Sequence, residues 1–395
     1  MIKQILEMKL KTSTSFRALS LNTSIQMNNI NLEINAPTHT TILNWVHKIG
    51  YHQLMKPKEK ADDWILIIDE SIQVGREKIL MLFGIREKHI DFSRPLKFQD
   101  IVPIRELVDA SWTGEKIELI LSEIKEELGT IKYVVSDSGS NIVKSLNLSK
   151  IPHVYDLTHK IASIIRKLYK KNEIYINLTK RMAEMRLKCL QTEHAFLTPP
   201  KQRSQSKYLN IDAISKWCLN TLCYVEKNKD KEVEKCEKLS WILEYKNFIL
   251  SLSELNELIC KIEKILKTNG FSNKSWKECQ ILLQSIKGEA AEKVKEELNI
   301  YMVELSEKSK NSDKLLITSD VIESSFGKYK NYVSQNPMAG ITNLILSISA
   351  FTCSLEEEEI KSALENTVIN DIKEWTRKTI GKSLFQRRRE AYCFN

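Results

Sequence analysis

Two aspartates in this chain follow apolar runs. Asp69 comes after Trp64-Ile65-Leu66-Ile67-Ile68, and Asp137 after Tyr133-Val134-Val135-Ser136. Short runs so rich in Ile and Val read as buried strands, which puts each acid at or near a strand's carboxyl end, where open α/β sheets hold their sites. Two neighbouring strands would make the carboxylates converge. Hard oxygen ligands placed in this way suit Mg²⁺, which keeps several waters and bridges to phosphate oxygens. Two such ions clamp the attacking and leaving oxygens of an in-line displacement. A single Asp after a strand is ordinarily a turn or a helix cap; that reading is less persuasive for two.

A third acid comes late, in Ser319-Asp320-Val321-Ile322-Glu323-Ser324-Ser325-Phe326-Gly327-Lys328-Tyr329-Lys330. With Asp320 as N-cap, Glu323 occupies N3 and closes a capping box. Gly327 at i+4 and Lys330 at i+7 share its helix face. A carboxylate, a glycine permitting close approach and a lysine on one face present a metal ligand and a phosphate contact together.

The elements that must carry these acids change character along the chain. Residues 1–60 read as short helices, the clearest beginning after Pro37-Thr38 with Ile42, Val46 and Ile49 on one stripe. Its other face offers Thr41, Asn44, His47 and Lys48, the pattern of a docked helix with polar and basic side chains outward. From Asp63 come the apolar runs 64–68, 79–83 and 131–135, with a helix over Gly114 to Leu128 and a fourth short strand over Ile151 to Tyr155. After Asp156 long amphipathic stretches take over, notably Val233 to Leu266 and Trp276 to Leu305, separated by Thr268-Asn269-Gly270. A mixed, helix-rich α/β fold is the expectation.

Composition narrows the class. The chain has 395 residues, 42% of them hydrophobic, with only 11 Gly and 8 Pro. That excludes disordered and fibrous proteins and favours long regular elements in two or three domains. The net charge of +9 is unevenly spread. Residues 1–60 hold eight basic side chains against three acids, and residues 160–207 twelve against three, a distribution that fits a polyanion. Arg387-Arg388-Arg389 and the run Glu356 to Glu359 read as solvated faces. Eight scattered cysteines without a Cys-x-x-Cys pair indicate neither zinc knuckle nor disulfide framework. No signal-type apolar region opens the chain, and the charge-free stretch Asn331 to Leu355 is too polar to span a bilayer. A soluble intracellular protein in a reducing compartment is expected, in the cytoplasm or nucleoid if bacterial, without a membrane partner.

Taken in order, Ile67-Ile68-Asp69-Glu70-Ser71, Val134-Val135-Ser136-Asp137-Ser138-Gly139-Ser140-Asn141 and Val321 to Lys330 resemble the DDE transposases with a ribonuclease H-like catalytic domain. The distance from Asp137 to Glu323 matches members with a helical insertion before the third acid. Asp156-Leu157-Thr158-His159 is similar to the acid-or-Cys-x-x-His element of such members, and Glu323 and Lys330 have the Glu-x6-Lys spacing of one bacterial group. That group's preceding Tyr and Arg positions are Leu316 and Ser319 here.

The resemblance implies Mg²⁺-dependent cleavage of phosphodiester bonds at the ends of a mobile element and attack of the freed 3′-hydroxyl on target DNA. Asp69, Asp137 and Glu323 would hold two Mg²⁺ ions, with Mn²⁺ able to substitute, and Asp156 and His159 would be accessory, in a mainly structural role. Lys328, Lys330, Asn44, His47 and Lys48 would contact DNA. The chain would act as a homodimer or higher oligomer on element ends and target. Its expected parts are a helix-turn-helix-like DNA-binding segment (1–60), the first part of the catalytic domain (61–158), an all-helical insertion (159–314), and the catalytic helix with a helical C-terminal part (315–395). Two other readings stand beside this one: a nuclease of the same fold that cuts without joining, and a non-catalytic DNA-binding protein derived from a transposase.

Overall fold

The structure is a computed structural model that describes residues 1–32, 34–72, 77–202, 211–228, 231–309, 312–333 and 340–392. The chain divides into two units, one of residues 1–91, 95–154 and 318–395, the other of residues 92–94 and 155–317.

The apolar runs form the first unit's sheet. Its strands are β1 (Ala61–Ile72), β2 (Lys78–Arg86), β3 (Val102–Asp109), β4 (Gly129–Ser136) and β5 (His153–Tyr155), in the order β3-β2-β1-β4-β5. β2 runs antiparallel to both β1 and β3, while β1 and β4 are parallel. Three antiparallel strands continued by a strand parallel to β1 make a mixed sheet, and the fold class is the expected mixed, helix-rich α/β. Trp64 to Ile68 in β1 are all buried, as a central strand covered on both faces requires.

The helices of this unit are α1 (Ile2–Lys11), α2 (Phe16–Asn29), α3 (His39–Met55), α4 (Gly114–Leu128) and α5 (Ser140–Ser149). α4 carries Ile117, Leu121, Ile124 and Leu128 at helical spacing and is N-capped by Thr113. With Ile142 and Leu146 of α5 it covers Trp64, Leu66, Ile68, Leu80 and Leu82 on one sheet face.

The second unit holds α6 (Leu157–Tyr169), α7 (Glu173–Cys189), α8 (Ile211–Asn228), α9 (Val233–Leu239), α10 (Lys246–Asn269), α11 (Asn273–Gln284) and α12 (Glu289–Lys308). Its core includes Leu178, Met182, Ile214, Cys218, Leu222 and Ile249. The chain then returns to the first unit in α13 (Asp320–Val333), α14 (Leu346–Ala350), α15 (Glu357–Asn366), α16 (Ile369–Thr379) and α17 (Leu384–Tyr392). α13 packs on β1, and α3 and α14 pack on β3.

A second core of the first unit joins Leu6, Leu10, Val46 and Ile49 to Tyr332, Phe351, Leu355 and Ile360, tying α1 and α3 to the late helices. The crossing of α3 and α14 is close enough that a Cβ on Gly50 would lie 1.9 Å from the Leu346 carbonyl oxygen, so glycine is required there. Among the described residues no helix is long and apolar enough to cross a membrane, and the cysteines are free. Cys393, Arg203 and Lys207 lie outside the described residues.

The packing corrects the expectation for α3. Ile42, Val46 and Ile49 are buried as expected, but His47, assigned to the outward face, is also buried, at 3% exposure. Lys48 donates from Nζ to the Leu364 carbonyl at 2.7 Å, and Asn44 is half-buried. The physical reason is that α2, α14 and α15 all pack on α3, enclosing the side that the early sequence leaves unaccounted for.

Candidate active site

β1 and β4 run side by side with Ile67 opposite Val135. Two residues further along each chain stand Asp69, still within β1, and Asp137, the first residue after β4. Two aspartates thus sit at one level on adjacent parallel strands. Each is held by a backbone amide: Glu70 N donates to Asp69 Oδ1 at 2.7 Å, and Gly139 N donates to Asp137 Oδ1 at 2.9 Å. The second of these bonds is a turn linking the strand to α5, so the ordinary turn role and the convergence with Asp69 coexist. Ser136 Oγ lies 2.9 Å from Nε2 of His153 on β5, tying the end of β4 to the next strand.

Glu323 comes from α13, which packs across β1. This helix begins at Asp320, with the Ile322 amide donating to the Ser319 carbonyl at 2.9 Å. Ser319 is therefore at the cap and Glu323 at N4, one residue beyond the N3 place that a capping box needs. A Cβ on Gly327 would meet nothing within 4 Å, so no protein packing asks for a glycine there. Lys330, two turns after Glu323, is exposed.

The electrostatics show which groups are close. The Asp69 carboxyl is pushed up to about 8, first by burial and then by the charge of Asp137; Glu323 pushes the same way, and the Glu70 amide and the Lys330 ammonium oppose them. Carboxylates gathered in a buried place raise one another's proton affinity until a proton or a cation relieves them. The residues fit a divalent cation on this ground: hard oxygen donors from three elements, one of them holding a proton in the absence of a counter-ion. The neighbouring Glu70 points its charge elsewhere, pairing with Lys78 of β2 at 3.1 Å.

The remaining expected residues are placed as follows. Lys328 is half-buried, with its ammonium 4.5 Å from the Phe351 ring centroid and 5.2 Å from that of Phe98, and so takes part in the packing around α13. Asp156 and His159 belong to the second unit, where Asp156 is fully buried and N-caps α6 by accepting from the His159 amide at 2.9 Å. Of the basic block, Arg166, Lys170, Lys171, Lys180 and Lys188 are exposed on α6 and α7 or just after α6. Lys167 and Arg181 are taken up by Glu297 and Glu244, at 2.7 and 2.9 Å. Tyr169 and Tyr175 are buried and stack on one another.

One buried acid in the same row of the sheet was missed. Glu106 of β3 is in register with Met81 of β2, which is in register with Asp69. It is 1% exposed and accepts from the Ser349 hydroxyl of α14. No sequence signal marked it, because β3 itself was not anticipated.

No family model matches the chain, and no curated protein does. Among solved structures it is similar to a Drosophila P element transposase strand transfer complex, with 12% identity, 88% of this chain and 92% of that chain covered, and a TM-score of 0.44. At this level of likeness the reading of function rests on the acids themselves.

Proposed function

We propose that the chain is a metal-dependent DNA-cleaving and strand-joining enzyme of the DDE transposase type, with Asp69, Asp137 and Glu323 as its metal-holding carboxylates. The observation that carries this reading is geometric: Asp69 and Asp137 stand at one level on adjacent parallel strands, with α13, which bears Glu323, packed on β1, and the like charge of Asp137 and Glu323 pushes the buried Asp69 carboxyl up. A protein bears that cost where a cation is to be held. When bound, Mg²⁺ at such a site polarises phosphate oxygens and activates an attacking hydroxyl.

The chain's own groups would do the rest. Asp69 and Asp137, fixed by the Glu70 and Gly139 amides, keep their free oxygens on one side of the sheet end. Glu323 closes the site from the helix across β1, and its position follows the seating of α13 rather than that of a loop. Lys330, exposed on the same helix face, is placed to meet a phosphate of the strand being cut. DNA is the partner in this reading, with element ends and target as the two substrates.

The test is a strand-transfer assay with Mg²⁺ on duplexes that carry the DNA flanking the coding region. Joined products support the reading; cutting without joining identifies a nuclease of the same fold; binding alone identifies a non-catalytic derivative. Asp69→Asn, Asp137→Asn and Glu323→Gln are each expected to abolish cleavage and leave binding in place. Retained cleavage in any one removes that residue from the site.

A further inference from the structure

The helix α17 is a nine-residue segment, Leu384–Tyr392, that buries none of its residues. Helices this short are marginal in water on propensity alone and ordinarily persist by packing an apolar face. What fastens this one is its Leu384/Arg387 side. Leu384 lies against Gly340, whose added Cβ would come within 2.7 Å of the leucine Cγ, and Arg387 Nη2 donates to Glu77 Oε1 at 2.9 Å. Another side carries Phe385, Arg389 and Tyr392, at i, i+4 and i+7, the spacing that a docking stripe occupies, with Arg388 between that stripe and Leu384. There the two aromatic side chains are 67% and 78% exposed, Arg389 is exposed and Arg388 is half-buried.

A stripe of two bare aromatic rings with an exposed guanidinium between them has a specific chemistry. Arginines alone would suit the backbone of a duplex, whose bases are stacked on one another and offer no face to a ring. Exposed rings beside them suit unpaired nucleotides, whose bases have free π-faces while their phosphates run past the cations. Location agrees. Glu77 immediately precedes β2, and Met81, which is in register with Asp69, is four residues along the same strand, about 13 Å at strand rise. That is a reach of a few nucleotides.

We infer that α17 is a platform for single-stranded DNA next to the candidate active site, with Phe385 and Tyr392 stacking on bases and Arg389 taking a phosphate. This rests on the proposed cleavage reading, in which strand ends become unpaired at the acids, and it gives that site a third element, beyond the sheet and α13.

The experiment compares the full-length chain with two variants, Phe385→Ala/Tyr392→Ala and Arg389→Gln, by fluorescence anisotropy on oligothymidylate and on a duplex of equal length across a salt series. The aromatic double variant is expected to bind oligothymidylate about tenfold or more weakly, with the duplex unaffected, since base stacking is lost and phosphate contact is kept. Arg389→Gln should lower the salt slope on oligothymidylate by about 0.7. Circular dichroism and melting curves should match the parent, because nothing on α17 is buried.

Unchanged oligothymidylate affinity in the aromatic variant overturns the inference, as does an equal loss on duplex, which would leave phosphate contact only. A parent chain that self-associates until Phe385 and Tyr392 are removed, with DNA affinity constant, assigns the stripe to a second copy and also overturns it. The two readings fail separately. A chain that binds oligothymidylate through these rings yet leaves all DNA intact with Mg²⁺ defeats the cleavage reading, whereas a chain that cleaves normally without them defeats this one.

Discussion

Asp69 and Glu106 stand in one row of one sheet, with Met81 between them, and in both the carboxyl is pushed up to about 8. Their surroundings differ. Around Asp69 the cause is burial followed by the charges of Asp137 and Glu323. Around Glu106 burial is the only cause that raises it, and the hydroxyl and amide of Ser349 oppose it. The centre of the sheet therefore gathers several carboxyl groups, while its edge holds a single one hydrogen-bonded to a serine. A raised proton affinity by itself does not distinguish a functional acid from a structural one. What distinguishes them is whether other carboxylates share the place, because only then does a cation have several ligands to bind.

The largest effect that sharpens this contrast comes from Asp69→Asn. Cleavage with Mg²⁺ should fall by three orders of magnitude or more, a loss of about 4 kcal/mol in transition-state stabilisation. Without divalent ions the same variant should melt higher than the parent, increasingly so as the pH rises toward about 8, since an amide keeps the space and stays neutral beside Asp137 without needing a proton. Each kcal/mol gained raises the melting temperature by about 2–4 °C. Added Mg²⁺ should stabilise the parent and leave the variant nearly unmoved. A parent chain whose melting is indifferent to Mg²⁺ would break the comparison at its root.

Glu106 should behave in the opposite way. Glu106→Ala leaves a cavity and an unpaired Ser349 hydroxyl, at a cost of about 2–4 kcal/mol, whereas Glu106→Gln preserves shape and a hydrogen bond and should cost about 1 kcal/mol or less. Neither should change the cleavage rate per folded molecule, measured after correction for folded fraction. A glutamine variant that folds normally but loses cleavage would make Glu106 part of the site.

The third effect is on pH dependence. Each acid has a folded proton affinity above its unfolded one, so between about 4 and 8 the native state holds a proton that the unfolded chain has released. Stability contributed in this way is complete below the unfolded value and is lost as the pH rises toward about 8. Glu106→Gln should flatten part of that decline with or without Mg²⁺; Mg²⁺ should flatten a different part, and only when Asp69 is present. Thermal melts from pH 5 to 8 separate the two.

How far the sequence disclosed this depends on distance along the chain. Trp64 to Ile68, Ile79 to Phe83 and Ile131 to Val135 announced their strands because β-branched runs have few other uses. β3 was missed: Val-Pro-Ile-Arg-Glu-Leu-Val-Asp breaks its apolar pattern with a proline and charges, the marks of an edge strand, and strand order makes it one. The stripe Ile42, Val46 and Ile49 was legible, but the burial of His47 was not, because α14 and α15, which help to enclose it, lie some three hundred residues later. The strand-end acids could be read from local pattern. Glu323 could not be joined to them by spacing alone, since a whole helical unit intervenes, and there the family resemblance supplied the link. Arg387 to Arg389, read as a solvated run, gain meaning only once Leu384 and Arg387 are seen to fasten one side of α17.

The smallest effect tests the reach of the charge cluster itself. Lys330 is the last of the groups acting on Asp69 and works against the rest, favouring the ionised carboxylate. Removing it by Lys330→Met should therefore raise the Asp69 proton affinity further. The shift should stay under about one unit, because the ammonium is exposed and screened by salt. A metal must displace that proton, so the pH at which Mg²⁺ begins to stabilise the fold should move upward by the same amount. High salt should erase the difference between parent and variant. If the onset pH does not move at low salt, Lys330 lies outside the field of the acids, and its place on the Glu323 face serves the phosphate alone.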